Sequence, residues 1–178
     1  MKPHLTLILG GARSGKSRFA LGLNPSPGPG SVFLATGTPG DDEMRERIQK
    51  HRQERPAGWE TRESPYDLGG ALAASASAPG SVVLVDCLTL WLSNLLCGVG
   101  GDALGKDAVE EKIAALQKSL GALQGRVLFV SNEVGWGLVP DSPLGRDFRD
   151  LQGRLNQSIA EVSDDIFLLV AGIAQKIK

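Results

Sequence analysis

Eight consecutive residues, Gly10-Gly11-Ala12-Arg13-Ser14-Gly15-Lys16-Ser17, have the composition and spacing of a phosphate-binding P-loop. Gly10 and Gly15 let the backbone curl until successive N–H groups face phosphate oxygens. Lys16 reaches the terminal phosphates of a nucleoside triphosphate, and the Ser17 hydroxyl can ligate Mg²⁺. The apolar run at 5–9 precedes the loop and a helix-like stretch at 18–23 follows it. Strand, glycine-rich loop and helix are the context this motif requires.

Other chemistry-bearing residues stand at the ends of apolar runs. Asp86 ends the run at 82–85; it is placed to join Ser17 on the Mg²⁺ side of a triphosphate, or else to cap the helix that follows. Ala35-Thr36-Gly37 ends another run with residues small enough to bring a ligand to the backbone, although a plain strand-to-loop turn has the same pattern. Asn132-Glu133 ends a third. Trp136, between Gly135 and Gly137, suits a lid or an aromatic wall for a substrate as well as an aromatic folded onto the surface.

His51 belongs to a charged segment. At helical spacing it shares a stripe with Glu43, Arg47 and Arg55, and Met44 and Ile48 form an apolar stripe beside it. The cations Lys50, Arg52 and Arg55 would help hold a triphosphate and would disfavour imidazolium, leaving the neutral, nucleophilic ring. Attack by that ring on an α-phosphate would give a nucleotidyl-histidine and pyrophosphate. The same pattern also describes a solvated surface histidine. His4, ahead of the first strand, reads as merely polar.

The elements that must position these residues alternate in type. Strands are expected at 4–9, 31–36, 81–86, 126–131 and 165–171, the last closing the chain, with a short edge strand at 59–63. Helices are expected at 16–23, 41–55 (stopped by Pro56), 66–77, 88–97, 106–123 and 144–162. Val109, Ile113, Leu116 and Leu120 mark the buried face of the amphipathic helix at 106–123. Alternation of this kind predicts an α/β fold with a mostly parallel sheet flanked by helices. Ligands in such sheets bind at the carboxyl ends of the strands, where the residues above lie.

The chain has 178 residues and a formal net charge of −1, which suits one domain and gives no basic surface for nucleic acid or anionic membrane. No apolar stretch is long enough for a membrane span, and residues 1–4 run straight into the first strand without a signal peptide. Cys87 and Cys97 lie in apolar surroundings without metal-like partners and read as a buried reduced pair, as suits a cytoplasmic protein.

Taken in order, a series of segments resembles one family. It comprises Gly10 to Arg18, Asp42-Glu43-Met44, Arg47 to Arg52, Arg55-Pro56, Trp59-Glu60-Thr61 with Glu63, and Asp86-Cys87-Leu88-Thr89 with Asn94. It continues through Ser131 to Gly135, Gly137 to Pro140, Phe148-Arg149-Asp150 and Gly153 to Gln157. The chain is similar to the bifunctional adenosylcobinamide kinase / adenosylcobinamide-phosphate guanylyltransferases of cobalamin biosynthesis. The resemblance implies a RecA-like P-loop nucleoside triphosphate hydrolase fold, ATP or GTP with Mg²⁺, a corrinoid substrate and a homo-oligomer. It implies that His51 is guanylylated by GTP, with Lys16 beside it in catalysis. Lys50 stands where some members carry a second histidine. The nucleotide-contacting positions it implies are Gly10, Gly11, Ala12, Arg13, Ser14, Gly15, Lys16, Ser17, Ala35, Thr36, Gly37, Arg52, Gln53, Glu54, Arg55, Glu63 and Asp86, with Ser17 and Asp86 on the metal. A plain P-loop small-molecule kinase and a nucleotide-driven switch are the alternatives the residues leave open.

Overall fold

Period-two alternation of apolar residues along the strands sends neighbouring side chains to opposite faces of one sheet. A computed structural model of the chain describes residues 2–53, 55–99 and 101–178, apart from the side chains of Met44, Arg47 and His51. Seven strands form the sheet: β1 (His4–Gly10), β2 (Ser31–Ala35), β3 (Glu60–Glu63), β4 (Val82–Asp86), β5 (Arg126–Asn132), β6 (Asp165–Val170) and β7 (Ile173–Lys176). Their order is β3-β2-β4-β5-β1-β6-β7, and every pairing is parallel except β6 with β7.

The helices are α1 (Lys16–Gly22), α2 (Asp42–Gln53), α3 (Leu68–Ser75), α4 (Leu88–Cys97), α5 (Lys106–Leu120) and α6 (Pro143–Val162). Leu5, Leu7, Val83, Val85, Val127 and Phe129 join α3, α4, α5 and α6 in one core layer. Ile8, Phe33, Leu84, Leu128 and Val130 face the other way, where Ala20 of α1 joins them. The expected face of α5, Val109, Ile113, Leu116 and Leu120, is fully buried. Caps fix two helix starts: Asp67 accepts from the Gly70 N–H at 3.0 Å, and Ser142 accepts from the Gly145 N–H at 3.1 Å ahead of Pro143.

Three expectations are corrected. The strand at 165 does not close the chain: it ends at Val170, and Ala171-Gly172, both at positive φ (51° and 82°), turn it into the antiparallel β7. That two-residue turn has the backbone signs of a hairpin, but alanine in its first position gives no turn signal. Helix α2 ends at Gln53, so Arg55 leaves the helical stripe on which spacing had placed it. The cysteines are not a buried pair: both are free thiols, Cys87 buried and Cys97 exposed.

Candidate functional site

The carboxyl ends of β1, β2, β4 and β5 converge on a cavity of about 840 Å³. The P-loop forms its floor, between β1 and α1. Gly10 has no room for a side chain: a Cβ there would lie 2.5 Å from the Leu169 carbonyl oxygen and 2.7 Å from the Ser14 hydroxyl. Gly15, at φ 94°, begins α1 in the left-handed region that glycine enters without strain. The loop is braced from outside itself, since the Glu133 N–H donates to the Gly10 carbonyl (3.1 Å) and the Gly172 N–H to the Ser14 carbonyl (3.0 Å).

Lys16 is 7% exposed. Its ammonium donates to the Gly11 carbonyl at 2.6 Å and to the Ser14 hydroxyl at 3.4 Å. Burial holds its pKa below the ordinary lysine value, against the upward pull of Cys87 and Asp86. Ser17 and Asp86 are half-buried and line the same cavity. The N-cap of α4 is Cys87, so the capping alternative for Asp86 falls away. A hydroxyl and a carboxylate are hard oxygen donors, the set that suits Mg²⁺ together with phosphate oxygens and water. Cys87 also lines the cavity, but burial pushes its thiol up to about 12, which keeps it protonated and unreactive.

The opposite wall comes from β2 and the segment after α2. Ala35 and Gly37 line the cavity. Thr36 between them turns inward and is fully buried: its hydroxyl donates to the Cys87 carbonyl (2.7 Å) and accepts from the Cys87 N–H (2.8 Å). Its carbonyl accepts from Asn94 Nδ2 at 2.7 Å. Thr36 therefore ties the end of β2 to the end of β4, beneath the cavity rather than in it. Helix α2 rests here through Ile48, whose side chain packs against Gly37 beside Leu90.

Arg55 is the cation of this wall. Its guanidinium carbon lies 3.9 Å from the Phe33 ring centroid, and Nη1 donates to the Thr61 hydroxyl at 3.1 Å. Its Nε is buried without a hydrogen-bond partner among the described residues. Burial lowers its pKa first, with Asp86 pulling the other way; the group stays charged. Arg55 also borders a neighbouring pocket of about 530 Å³ lined by Arg52, Pro56, Trp59, Thr61 and Glu63. There Arg52 and Glu63, both exposed, form an ion pair.

The cavity thus brings together Ala12, Arg13, Ser14, Gly15, Lys16, Ser17, Ala35, Gly37, Arg55 and Asp86. Gly10 and Gly11 are not among its lining residues, Arg52 and Glu63 lie in the neighbouring pocket, and Gln53 is exposed at the end of α2. His51 lies on α2, three residues past Ile48, but its side chain and all of Glu54 are outside the described residues. Sequence reasoning named Asn132 at its strand end without placing it in the nucleotide site, and it missed Arg18, Leu21, Phe33, Leu90, Ala171 and Gly172 as lining residues. Asn132 carried a signal, an amide at a strand end beside the P-loop strand. The apolar ones are brought in by packing and carried none.

The comparisons agree with this geometry. Two solved structures share the fold: an ATPase from the type III secretion system of pathogenic bacteria has a TM-score of 0.56 at 11% identity, over 97% of this chain and 56% of that one. A Pyrococcus horikoshii protein has a TM-score of 0.54 at 10% identity, over 98% of this chain and 86% of that one. Among curated proteins, the bifunctional adenosylcobalamin biosynthesis protein CobP of Pseudomonas aeruginosa is 46% identical, covering 97% of this chain and 96% of its own. The bifunctional adenosylcobalamin biosynthesis proteins CobU of Salmonella typhimurium and Escherichia coli are 40% and 42% identical, each over 98% of this chain and 99% of theirs. The model of cobinamide kinase / cobinamide phosphate guanyltransferase matches residues 6–177. A match over almost the whole chain, on a P-loop site whose parts converge, means that this chain belongs to the cobinamide kinase / cobinamide phosphate guanyltransferase family.

Proposed function

We propose that the chain phosphorylates adenosylcobinamide with ATP or GTP and then transfers GMP from GTP to the cobinamide phosphate through a guanylyl-histidine on His51. One observation carries the reading at residue level. A single cavity is bounded by Lys16 and Ser17 on one side and by Ile48 and Arg55, which bracket His51 in sequence, on the other. One bound nucleotide there can meet two nucleophiles.

In the first reaction a corrinoid hydroxyl attacks the γ-phosphorus, and the nucleoside diphosphate leaves with the electron pair of the broken bond. Lys16 and the loop N–H groups neutralise charge on the phosphates, and positioning accounts for most of the rate. In the second, an imidazole nitrogen of His51 forms a bond to the α-phosphorus as pyrophosphate leaves. A phosphate oxygen of the corrinoid then displaces the histidine. Two displacements through a covalent intermediate replace one harder step. Ser17 and Asp86 would hold Mg²⁺, which when bound supplies charge neutralisation between the phosphates. Gly10 to Ser17 cradle the phosphates, Ala35, Gly37, Arg52, Gln53, Glu54, Arg55 and Glu63 complete the nucleotide site, and Thr36 supports its wall from beneath.

The corrinoid acceptor is assigned to the strip after β5. Trp136 is 74% exposed and Leu138 95% exposed, an apolar surface continuous in sequence with Asn132 at the cavity. The Arg149 guanidinium donates to the Gly137 carbonyl and that of Arg146 to the carbonyls of Pro140 and Asp141, so the strip is held on α6. Homo-oligomeric assembly and a cytoplasmic setting complete the reading.

The test is incubation with α-labelled GTP and Mg²⁺ followed by denaturation. The expected result is retained label, acid-labile and base-stable, and absent from His51→Ala. Full labelling of His51→Ala would overturn the histidine assignment. No label with phosphorylation intact would favour a plain small-molecule kinase.

A further inference from the structure

Between the strand that carries the P-loop and the strand that carries Asp86 runs β5. The registers pair Gly10 with Asn132 and Asp86 with Val130, so β5 reaches two residues past the level of Asp86. Its last residue, Asn132, lines the cavity with Lys16, Ser17 and Asp86. A polar side chain thus stands at the cavity next to the strand that leads into the P-loop.

The backbone around Asn132 is held from three directions. Its N–H donates to the Thr89 hydroxyl of α4 at 2.8 Å. Its carbonyl accepts from Asn156 Nδ2 of α6 at 3.1 Å. The next N–H, of Glu133, donates to the carbonyl of Gly10 at 3.1 Å. Asn156 is itself fixed: its Oδ1 accepts from the Ser131 hydroxyl at 2.6 Å and from Gln152 Nε2 at 3.0 Å. Gln152 also donates to the Ser131 hydroxyl at 2.9 Å. Gln152 and Ser131 are completely buried, and Gln152 Oε1 is left without a protein partner among the described residues. A buried amide network that leaves an acceptor unpaired costs stability, about 1–3 kcal/mol for one such group. All of it converges on the two main-chain groups of one residue. The Asn132 carboxamide takes no part in it and has no hydrogen-bond partner among the described residues.

We propose that Asn132 is a further catalytic residue of phosphoryl transfer, donating from its carboxamide to the terminal phosphate of the bound nucleotide, and that Thr89, Asn156 and Gln152 are its positioning residues. The inference rests on the kinase half of the reading above. As the acceptor oxygen bonds to the γ-phosphorus, the bridging bond breaks and the nucleoside diphosphate leaves with its electron pair. The hydroxyl proton passes to water. Charge accumulates on the oxygens of the transferred group, and Asn132 meets it with an N–H whose orientation is set in advance. The carboxamide gains and loses no proton in the step.

The experiment compares the affinities of GDP and of a non-hydrolysable GTP analogue in wild type and Asn132→Ala, alongside phosphorylation kinetics with adenosylcobinamide. The positioning network uses only the backbone of Asn132, so this truncation leaves it in place. The analogue's advantage over GDP should fall about tenfold, the worth of one hydrogen bond to a charged group, with GDP affinity within threefold of wild type. The kcat for phosphorylation should fall about 100-fold, as when one preorganised donor to a transition state is lost. An unchanged preference, or equal losses of GDP and analogue affinity, overturns the proposal. Asn156→Ala should lower the preference at least threefold by the same readout; if it fails to fold, Thr89→Val takes its place. Wild-type preference in that variant overturns the positioning role. Absence of phosphorylation by the wild type would sink the kinase reading, while the affinity ratio would still decide whether Asn132 touches the terminal phosphate.

Discussion

Lys16 shows how the loop keeps a cation ready before phosphate arrives. Its ammonium is tethered to the Gly11 carbonyl and is nearly buried, and burial outweighs Asp86 in setting its pKa below 10.5. Nucleotide binding favours the charged form, so affinity is full below the depressed value and is lost as pH rises through it. GDP affinity measured from neutrality up to the ordinary lysine value of 10.5 should therefore begin to fall early. A flat profile over that range would refute the assignment of Lys16 to the phosphates. Lys16→Ala should lose triphosphate binding and both activities together. Thr36 is the contrasting residue. Its hydroxyl is closed on itself by both polar groups of the Cys87 backbone, so Thr36→Val removes one acceptor and one donor from a buried pair. Urea denaturation should show a loss of about 1–3 kcal/mol, and an unchanged midpoint would mean that the tie between β2 and β4 is dispensable.

At the scale of elements, the proposed attack of His51 on the nucleotide depends on where α2 is held. The helix is docked by Ile48 against Gly37 and Leu90, and His51 follows three residues later on the same rigid element. Ile48→Ala should slow formation of the labelled histidine about tenfold by loosening a reacting group from its position. Global stability should fall by only about 1 kcal/mol, because Ile48 is half-buried. Equal labelling rates would show that α2 is placed by other contacts. The sequence made the P-loop and its flanking strand and helix readable because that geometry is local, and the same locality exposed the amphipathic face of α5. Arg55 was misplaced because a helix end is set by competing local bonds: the Arg55 N–H returns to the Arg52 carbonyl, and the side chain swings onto Phe33. The turn at Ala171 was invisible because a left-handed alanine carries no composition signal. Phe33 and Leu90 became neighbours of the P-loop only through the strand order.

The molecule as a whole is a parallel sheet whose last strand turns back, and two carboxylates tie that closure to the start of β1. Asp164 accepts from the Leu5 N–H at 2.9 Å and pairs with Lys2; Asp165 meets His4 Nε2 at 2.8 Å and Lys176 of β7. The two carboxylates thus join the start of β1, the start of β6 and the end of β7, and through the β6–β7 turn they brace the loop at Ser14. The Leu5 N–H holds the Asp164 carboxyl below 3.8, and the Lys176 ammonium does the same for Asp165. A folded-state value below the unfolded one stabilises the fold at every pH above the unfolded value. That contribution is lost as pH falls through the folded value. The urea midpoint of the wild type should therefore hold from neutrality down to about the ordinary aspartate value and decline below it. Asp164→Asn keeps an acceptor for the Leu5 N–H but has no charge to titrate. It should start less stable than wild type at neutral pH and decline less steeply in acid, so that the two midpoints approach each other. Parallel curves for the two proteins would mean that acid unfolds the chain elsewhere and that this clamp does not set its pH limit.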